Sequence, residues 1–526
     1  MSLYSLAYVL FFVVLMVAYF GVGRLAGRGQ WVVLLLGSLV FYCLMGSWQT
    51  LAYVMVVALV TWAAPQAFAR MDERGEQERK QEQDRARKKE LKLVWQRRKR
   101  WLLIAALLVP FGMLAYLKYW NVILYQVGAA ASVTSLGLVL PLGISFYTFQ
   151  SVGYLIDAYN GTIELEPSLA RHLLFVTYFP QMIQGPINRY AALAPQLFAR
   201  HRLSEVSFGQ AGLRIGYGML KKFVMADLLV DLIEKLLASV GVTTPGSLVV
   251  IAILLYSAQQ YGDFSGGIDM VEGYSELLGI EMAPNFKRPY FSVSLADFWR
   301  RWHISLGQWM RDYVFYPFVL SRPMRSWSKN VGKRLGRHLG KTILAGLGNI
   351  LVFLLVGIWH GAELHFLAWG FYNGAVIALS DMLAPQFARL VERLHVDVQT
   401  RGYHVFAIIR TFIVVNIGWY FDRITDVGTS VLCLGKTFFD FSPQRLPEAL
   451  AAIDIRPADY AQLALALTAA AVVFAVSLVQ ERGVDVRGRL LTCPLPVRAL
   501  VCVFVGLLVV TSFTFNVGGG FMYANY

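Results

Sequence analysis

The chain has 526 residues, of which 57% are hydrophobic and only 15% charged, with a mean hydropathy of +0.52. Soluble domains run nearer to roughly 45–50% apolar and 25% charged, so a soluble globular class is excluded and an all-α polytopic membrane protein is expected. A net charge of +15 would point to nucleic acid in a soluble protein, but here most basic residues fall in connecting loops. The expected contact is therefore the lipid bilayer, with no nucleic-acid partner.

Apolar runs at 3–21, 31–40, 51–64, 101–117, 248–256, 343–358, 406–420, 463–479 and 500–512 predict roughly eleven to thirteen membrane segments, some tilted, broken or re-entrant. The first lacks a basic leader and a small-residue cleavage site, so it reads as a retained helix. Residues 1–65 read as three N-terminal helices, 66–100 as a charged cytoplasmic loop, 138–385 as the core and 400–526 as C-terminal helices with an aromatic tail, all in one integral-membrane domain. In the charged loop, Glu78 with Lys80 and Glu82 with Arg85 are the expected ion pairs. Arg24 and Arg28, the run from Arg70 to Arg100, and the acid-free series from Arg322 to Lys341 all face the cytosol if the N-terminus is extracytoplasmic. Such a basic face attracts anionic lipid head groups, or steers an anionic cytosolic substrate. Cys43, Cys433, Cys493 and Cys502 are scattered without metal or redox spacing and read as packing residues.

Two polar, interrupted blocks follow. Pro141 and Gly143 break the first, which also carries Ser145, Thr148 and Gln150; the second runs Tyr178-Phe179-Pro180-Gln181 to Gly185-Pro186. Irregular backbone at membrane depth survives where protein or a water-filled cavity satisfies it, so these blocks predict a lined cavity, the alternative being ordinary kinked helices. Residues 259–269, with Asp263, Ser265 and Asp269 among glycines, read as a polar turn or pocket wall. The Walker spacing that would cradle phosphate is absent. Across 295–313, Phe298, Trp302, Leu306 and Trp309 recur at helical spacing and Asp297 pairs with Arg301 at i,i+4, predicting one interfacial or re-entrant amphipathic helix with His303 facing inward.

Trp359-His360-Gly361 then ends the apolar run that begins at Ile343. A histidine there is either hydrogen-bonded across helices or functional. Glu363 and His365 lack the H-E-x-x-H pattern, so no metal is expected. A Gly-x-Ser-x-Gly elbow is absent too, which argues against a serine acyl-enzyme. Broken helices also suit a glycan or lipid transporter, but no repeated halves are visible. At the end, Gly518-Gly519-Gly520 leads into Phe521-Met522-Tyr523-Ala524-Asn525-Tyr526, which reads as an interfacial aromatic anchor.

Taken together, Pro141-Leu142-Gly143-Ile144-Ser145-Phe146-Tyr147-Thr148-Phe149, Phe179-Pro180-Gln181 with Gly185-Pro186, Asp263-Phe264-Ser265-Gly266, Phe298-Trp299-Arg300-Arg301-Trp302-His303-Ile304-Ser305-Leu306, Arg311-Asp312-Tyr313 and Trp359-His360-Gly361 resemble the membrane-bound O-acyltransferase family. The likeness is to its bacterial branch of alginate and peptidoglycan O-acetyltransferases and teichoic acid D-alanyl transfer proteins. It runs from about Pro141 to Trp369, while both ends match in hydropathy alone. The stretches 73–100 and 321–341 look longer than the family needs.

The resemblance implies a helical fold with re-entrant segments around a transmembrane tunnel, with His360 as the catalytic histidine at its constriction and His303 as the second signature position. Asp263, Ser265, Asp269, Gln181, Trp359 and Arg301 are the tunnel or pocket candidates. An imidazole near its ordinary pKa of about 6.5 suits removal of a hydroxyl proton during attack on a thioester. The implied activity moves an acyl group, acetyl from acetyl-CoA at the cytosolic face, across the membrane to an exported or envelope polysaccharide such as alginate or peptidoglycan. No bound cofactor is implied. The alternative is D-alanyl transfer to teichoic acid from a carrier-protein thioester. The tail resembles the Phe-x-Tyr-x-x-Phe ending of this branch, with Tyr526 in the last place. By that likeness Tyr523 is an acyl relay to an extracytoplasmic SGNH-type acyltransferase partner, and the location is the bacterial inner membrane.

Overall fold

In the computed structural model the backbone is described for residues 5–46, 48–126, 143–238, 240–241 and 243–515. Among these, every regular element is a helix or helical turn, and the β contact is a single isolated antiparallel bridge between Phe286 and Trp302. Among the described residues, seven helices are long and apolar enough to cross a membrane, and the pair Leu364–Met382 and Ala384–Arg393, bent by 58°, makes up to eight. The expected eleven to thirteen segments included broken and re-entrant ones, which lie outside this count of full spans. Gln30–Met45 and Val427–Phe439 are apolar but short, and other apolar runs are carried on helices whose remaining turns are polar.

The chain divides into two compact units, residues 1–208 with 274–283, and residues 209–273 with 284–526. In the first, Ser5 caps Leu6–Leu25 by accepting from the Tyr8 N–H at 3.2 Å. Trp48–Gln81 and Arg85–Gln126 extend far beyond their apolar parts, so the predicted cytoplasmic loop is folded as the charged ends of two helices separated by 82–84. Gly75 leaves room for the Trp95 ring between these arms, and Lys99 meets Asp72 at 2.6 Å. The expected Glu78–Lys80 and Glu82–Arg85 pairs do not form. Glu78 and Lys80, two apart, point to different helix faces, so Lys80 pairs with Glu76 at 3.0 Å and Glu78 accepts from Trp95 Nε1 at 2.8 Å; Glu82 lies in the gap before the helix that begins at Arg85 and meets Arg87 at 3.5 Å.

The second interrupted block is broken as the sequence predicts. Leu169–Thr177 stops, Phe179–Gln184 makes a short helix with Pro180 in its first turn, and Gly185 leaves in an extended conformation. Side-chain amides take over the freed backbone groups. Gln150 and Gln181 both donate to the Phe175 carbonyl, at 2.6 and 3.1 Å, and Asn188 donates to Gln181 Oε1 at 3.1 Å. Of the first block, residues up to 142 lie outside the described residues; Ile144–Asn160 follows Gly143, whose φ of 68° is in the left-handed region that glycine tolerates.

In the second unit the predicted turn at 259–269 is instead continuous helix within Gly246–Glu276. Its glycines serve close packing. A Cβ on Gly262 would come within 2.7 Å of the Lys221 carbonyl, and one on Gly266 within 2.8 Å of the Gly218 carbonyl. The segment met there, Leu220–Ala226, is a π-helical widening, a distortion often found at functional or strained places. Farther on, Arg322–Leu335 turns the expected basic linker into a helix, and Arg337–His360 packs against Leu364–Met382 through glycines on both. Small residues allow this approach where burial from water supplies no drive between membrane helices.

Candidate active site

The predicted helix over 295–313 is broken in the middle. Ser294 caps Leu295–Arg301 by accepting from the Asp297 N–H at 3.1 Å, and a second helix runs over Ile304–Met310. Between them His303 has a φ of 46°, a left-handed conformation costly to a residue with a Cβ. The break follows from strand-like pairing at Trp302. Its partner segment bridges through Phe286, with the Lys287 N–H donating to the Arg301 carbonyl at 2.9 Å and the Ile304 N–H to the Asn285 carbonyl at 3.0 Å. The consequence is that His303 turns inward while Arg301 keeps its predicted pair with Asp297, at 3.2 Å, and adds Glu481 at 2.9 Å.

His360 is the last residue of its helix, because Gly361 departs in an extended conformation. The imidazole is 7% exposed and stacked on Phe366 with centroids 5.7 Å apart, with Trp369 at 5.2 Å and Trp359 at 4.8 Å edge-on. The His303 ring is 4% exposed and packs on Phe264 at 4.8 Å and Trp359 at 5.9 Å. It lies in the turn between two seven-residue helices, outside the spanning segments, and burial pushes its pKa down to about 3. A cavity of about 50 Å³ is lined by both histidines, by Trp299, Trp302, Trp369 and Trp419, and by Asp422. Trp299 Nε1 donates to Asn373 at 3.1 Å and Asp422 accepts from the Tyr256 hydroxyl at 2.5 Å, fixing two of the walls.

The remaining expected site residues fall elsewhere. Trp359 sits between the two imidazoles without lining the cavity. Asp263, Ser265 and Asp269 face the π-helical segment: Asp263 pairs with Lys222, Ser265 accepts from Lys221 Nζ at 2.9 Å, and Asp269 meets Lys221 at 2.5 Å. None of the three lines the histidine cavity, nor does Arg301. Gln181 belongs to the first unit, where it holds the break described above. Tyr523 lies outside the described residues. His365 bonds the Phe421 carbonyl through Nδ1 at 2.8 Å, and among the described residues no three His, Cys, Asp or Glu side chains come together as metal ligands.

Sequence reading missed Asp422 and Asn285. Asp422 lies in the last turn of the apolar Arg401–Arg423 helix, where a carboxylate is costly and marks a site by default. Asn285 carries no local signal, since the Phe286–Trp302 bridge alone brings it to His303.

Residues 165–398 match the membrane-bound O-acyltransferase family. The chain is 34% identical to the probable alginate O-acetylase of Pseudomonas syringae pv. tomato, over 66% of this chain and 62% of that protein. The chain belongs to this family. It is also similar to the peptidoglycan O-acetyltransferase of Helicobacter pylori, 31% identical over 64% of each chain. With the teichoic acid D-alanyltransferase of Bacillus subtilis it shares 29% identity, over 54% of this chain and 68% of that protein. The matches to the two O-acetylating relatives span less than two thirds of their own lengths. Family and helices together make this a multi-pass membrane protein.

Proposed function

We propose that this protein is an O-acyltransferase that moves a short acyl group, acetyl from cytosolic acetyl-CoA, across the bacterial inner membrane for esterification of an exported or envelope polysaccharide. The observation that carries the reading is the convergence of His303 and His360, from separate stretches of sequence, on one buried aromatic cavity. A short acyl group rather than a fatty chain suits so small a space, about 50 Å³.

In this mechanism the acceptor hydroxyl gives its proton to the His360 imidazole as its oxygen attacks the thioester carbonyl. The tetrahedral adduct then expels the thiolate, and the imidazolium returns the proton to sulfur, giving ester and free thiol. The aromatic wall excludes water that would hydrolyse the thioester. His360 stands at the carbonyl end of its helix, whose dipole offsets part of the charge of an imidazolium. With the N-terminus extracytoplasmic, the basic Arg322–Leu335 helix faces the cytosol and an anionic donor. Tyr523 relays the acyl group to an extracytoplasmic SGNH-type partner that selects the polymer.

A second reading, D-alanyl transfer from a carrier-protein thioester, is favoured by Asp422, a carboxylate in the cavity wall able to meet an ammonium group. The test is His360→Ala in cells, with protein level confirmed and alkali-labile acyl groups on the envelope polysaccharide measured. Acyl content falling to background is expected, and the identity of the released acid, acetate or D-alanine, separates the two readings. Unchanged acylation defeats the role of His360.

A further inference from the structure

We infer that Asn285 is a positioning residue that holds His303 as the Nδ1–H tautomer, so that neutral His303 offers the site a lone pair on Nε2 and no N–H. This inference rests on the proposed acyl-transfer reading of the cavity, and it decides which of two tasks His303 can perform there.

Ser305 fixes the orientation of the Asn285 amide. Its backbone N–H can only donate, and it points at Asn285 Oδ1 at 3.2 Å. That contact fixes which end of the amide is oxygen, because a flipped Asn285 would set an NH₂ group against an N–H. The same oxygen lies 3.1 Å from His303 Nδ1 and 2.9 Å from Ser305 Oγ. An amide oxygen accepts and cannot donate, so Nδ1 must carry the hydrogen. In the neutral ring one nitrogen donates and the other accepts, and the acceptor is then Nε2.

The placement of Asn285 is set by backbone pairing and does not depend on the histidine. Its carbonyl accepts from the Ile304 N–H, its neighbour Phe286 bridges to Trp302, and Lys287 bonds the Arg301 carbonyl. The side chain is 1% exposed, so water does not compete for Oδ1. Burial of the His303 ring keeps it neutral, the state in which the tautomer matters.

The chemical consequence is specific. A neutral imidazole with its hydrogen on the far nitrogen cannot donate to the developing oxyanion of the thioester carbonyl. It can accept a hydrogen bond from an N–H or O–H of a neighbouring group. His303 therefore serves as a hydrogen-bond acceptor beside the proton transfer to His360, and stabilisation of the oxyanion must come from other donors.

The test uses the full-length protein in detergent micelles, labelled with ¹⁵N-histidine, with the His303 signals assigned by their loss in His303→Gln. The expected spectrum shows a protonated Nδ1 and an unprotonated Nε2. Asn285→Asp keeps an oxygen acceptor and should keep that tautomer; Asn285→Leu should lose it and lower acyl transfer to the level of His303→Gln. Because Asn285→Asp preserves the acceptor, the test stands even where Asn285→Leu does not fold. A native spectrum with the hydrogen on Nε2, or a spectrum and rate unmoved by Asn285→Leu, overturns the inference. Full transfer by His303→Gln beside a native Nδ1–H signal would defeat the proposed function of His303 while supporting the tautomer assignment.

Discussion

Replacing Gly374 by alanine tests whether the position of His360 depends on how closely its helix meets the next one. A Cβ at Gly374 would lie 2.7 Å from Ile350 Cα, where ordinary contacts are 3.4–4 Å. The obstacle is backbone, so side-chain rotation cannot relieve it and the helices must separate by about 1 Å. Overpacking of this kind costs about 1–3 kcal/mol, and the better helix propensity of alanine returns up to about 1 kcal/mol. With that full return the net expectation is a destabilisation of about 0–2 kcal/mol, and about 1–3 kcal/mol relative to a glycine-to-alanine change that gains the same propensity without the clash. The chemistry should suffer more than the stability, because Phe366 and Trp369, which hold the His360 ring, lie on the displaced helix. A misplacement of about 1 Å can lower a rate by about 10²-fold. Thermal unfolding in detergent, followed by fluorescence-detected gel filtration, reads the first effect, and acyl transfer in membranes reads the second. Gly216→Ala is the control, since a Cβ there meets nothing within 4 Å. If Gly374→Ala matches Gly216→Ala in both assays, the close packing is not what positions the histidine.

The buried charges around the π-helical segment make a separate prediction. Lys222, whose side chain is 1% exposed, pairs with Asp263 and, at 2.7 Å, with Asp227. Lys222→Met should therefore cost about 3–5 kcal/mol, the cost of stranding a buried ion partner. Adding Asp227→Asn and Asp263→Asn should recover much of it, and a single variant with native melting behaviour would show that the pairs are not needed. For the tail, Tyr523→Phe removes the hydroxyl that takes the acyl group and should abolish both thioester consumption and polymer acylation at unchanged protein level. Undiminished polymer acylation would reduce the C-terminus to an anchor.

Class was legible from composition because the bilayer imposes its own arithmetic: spans must be apolar, and irregular backbone must be satisfied within the protein. The break at 178–186 was readable for that reason, through Pro180 and Gly185 and the amides needed beside them. The smooth passage of Gly246–Glu276 through 259–269 was not. Glycine beside polar residues signals a turn in water, yet between membrane helices the same glycines permit close contact. Local composition does not distinguish these uses; the opposing carbonyls of Gly218 and Lys221 do. The ion pairs near residue 80 were misassigned for simpler reasons: Glu78 and Lys80 do not share a helix face, and Glu82 lies in the gap at 82–84, off the helix that carries Arg85.

The site was half legible for a related reason. His360 stands out because an imidazole in an apolar run is unusual, His303 through the motif that carries it, and the structure brings both to one cavity. Helical periodicity, however, placed His303 on a continuous helix, and it is the pairing of Phe286 with Trp302 that breaks the helix and turns the ring inward. That pairing also supplies Asn285. An isolated bridge between two segments leaves no pattern in either, so the residue that sets the protonation of His303 cannot be found from the motif that contains His303. Asp422, which the sequence reading passed over, carries a local signal as a carboxylate in an apolar helix, while its place in the histidine cavity depends on how the Arg401–Arg423 helix packs. Sequence thus identifies groups whose burial is costly, and tertiary pairing decides which of them act on the same reacting atoms.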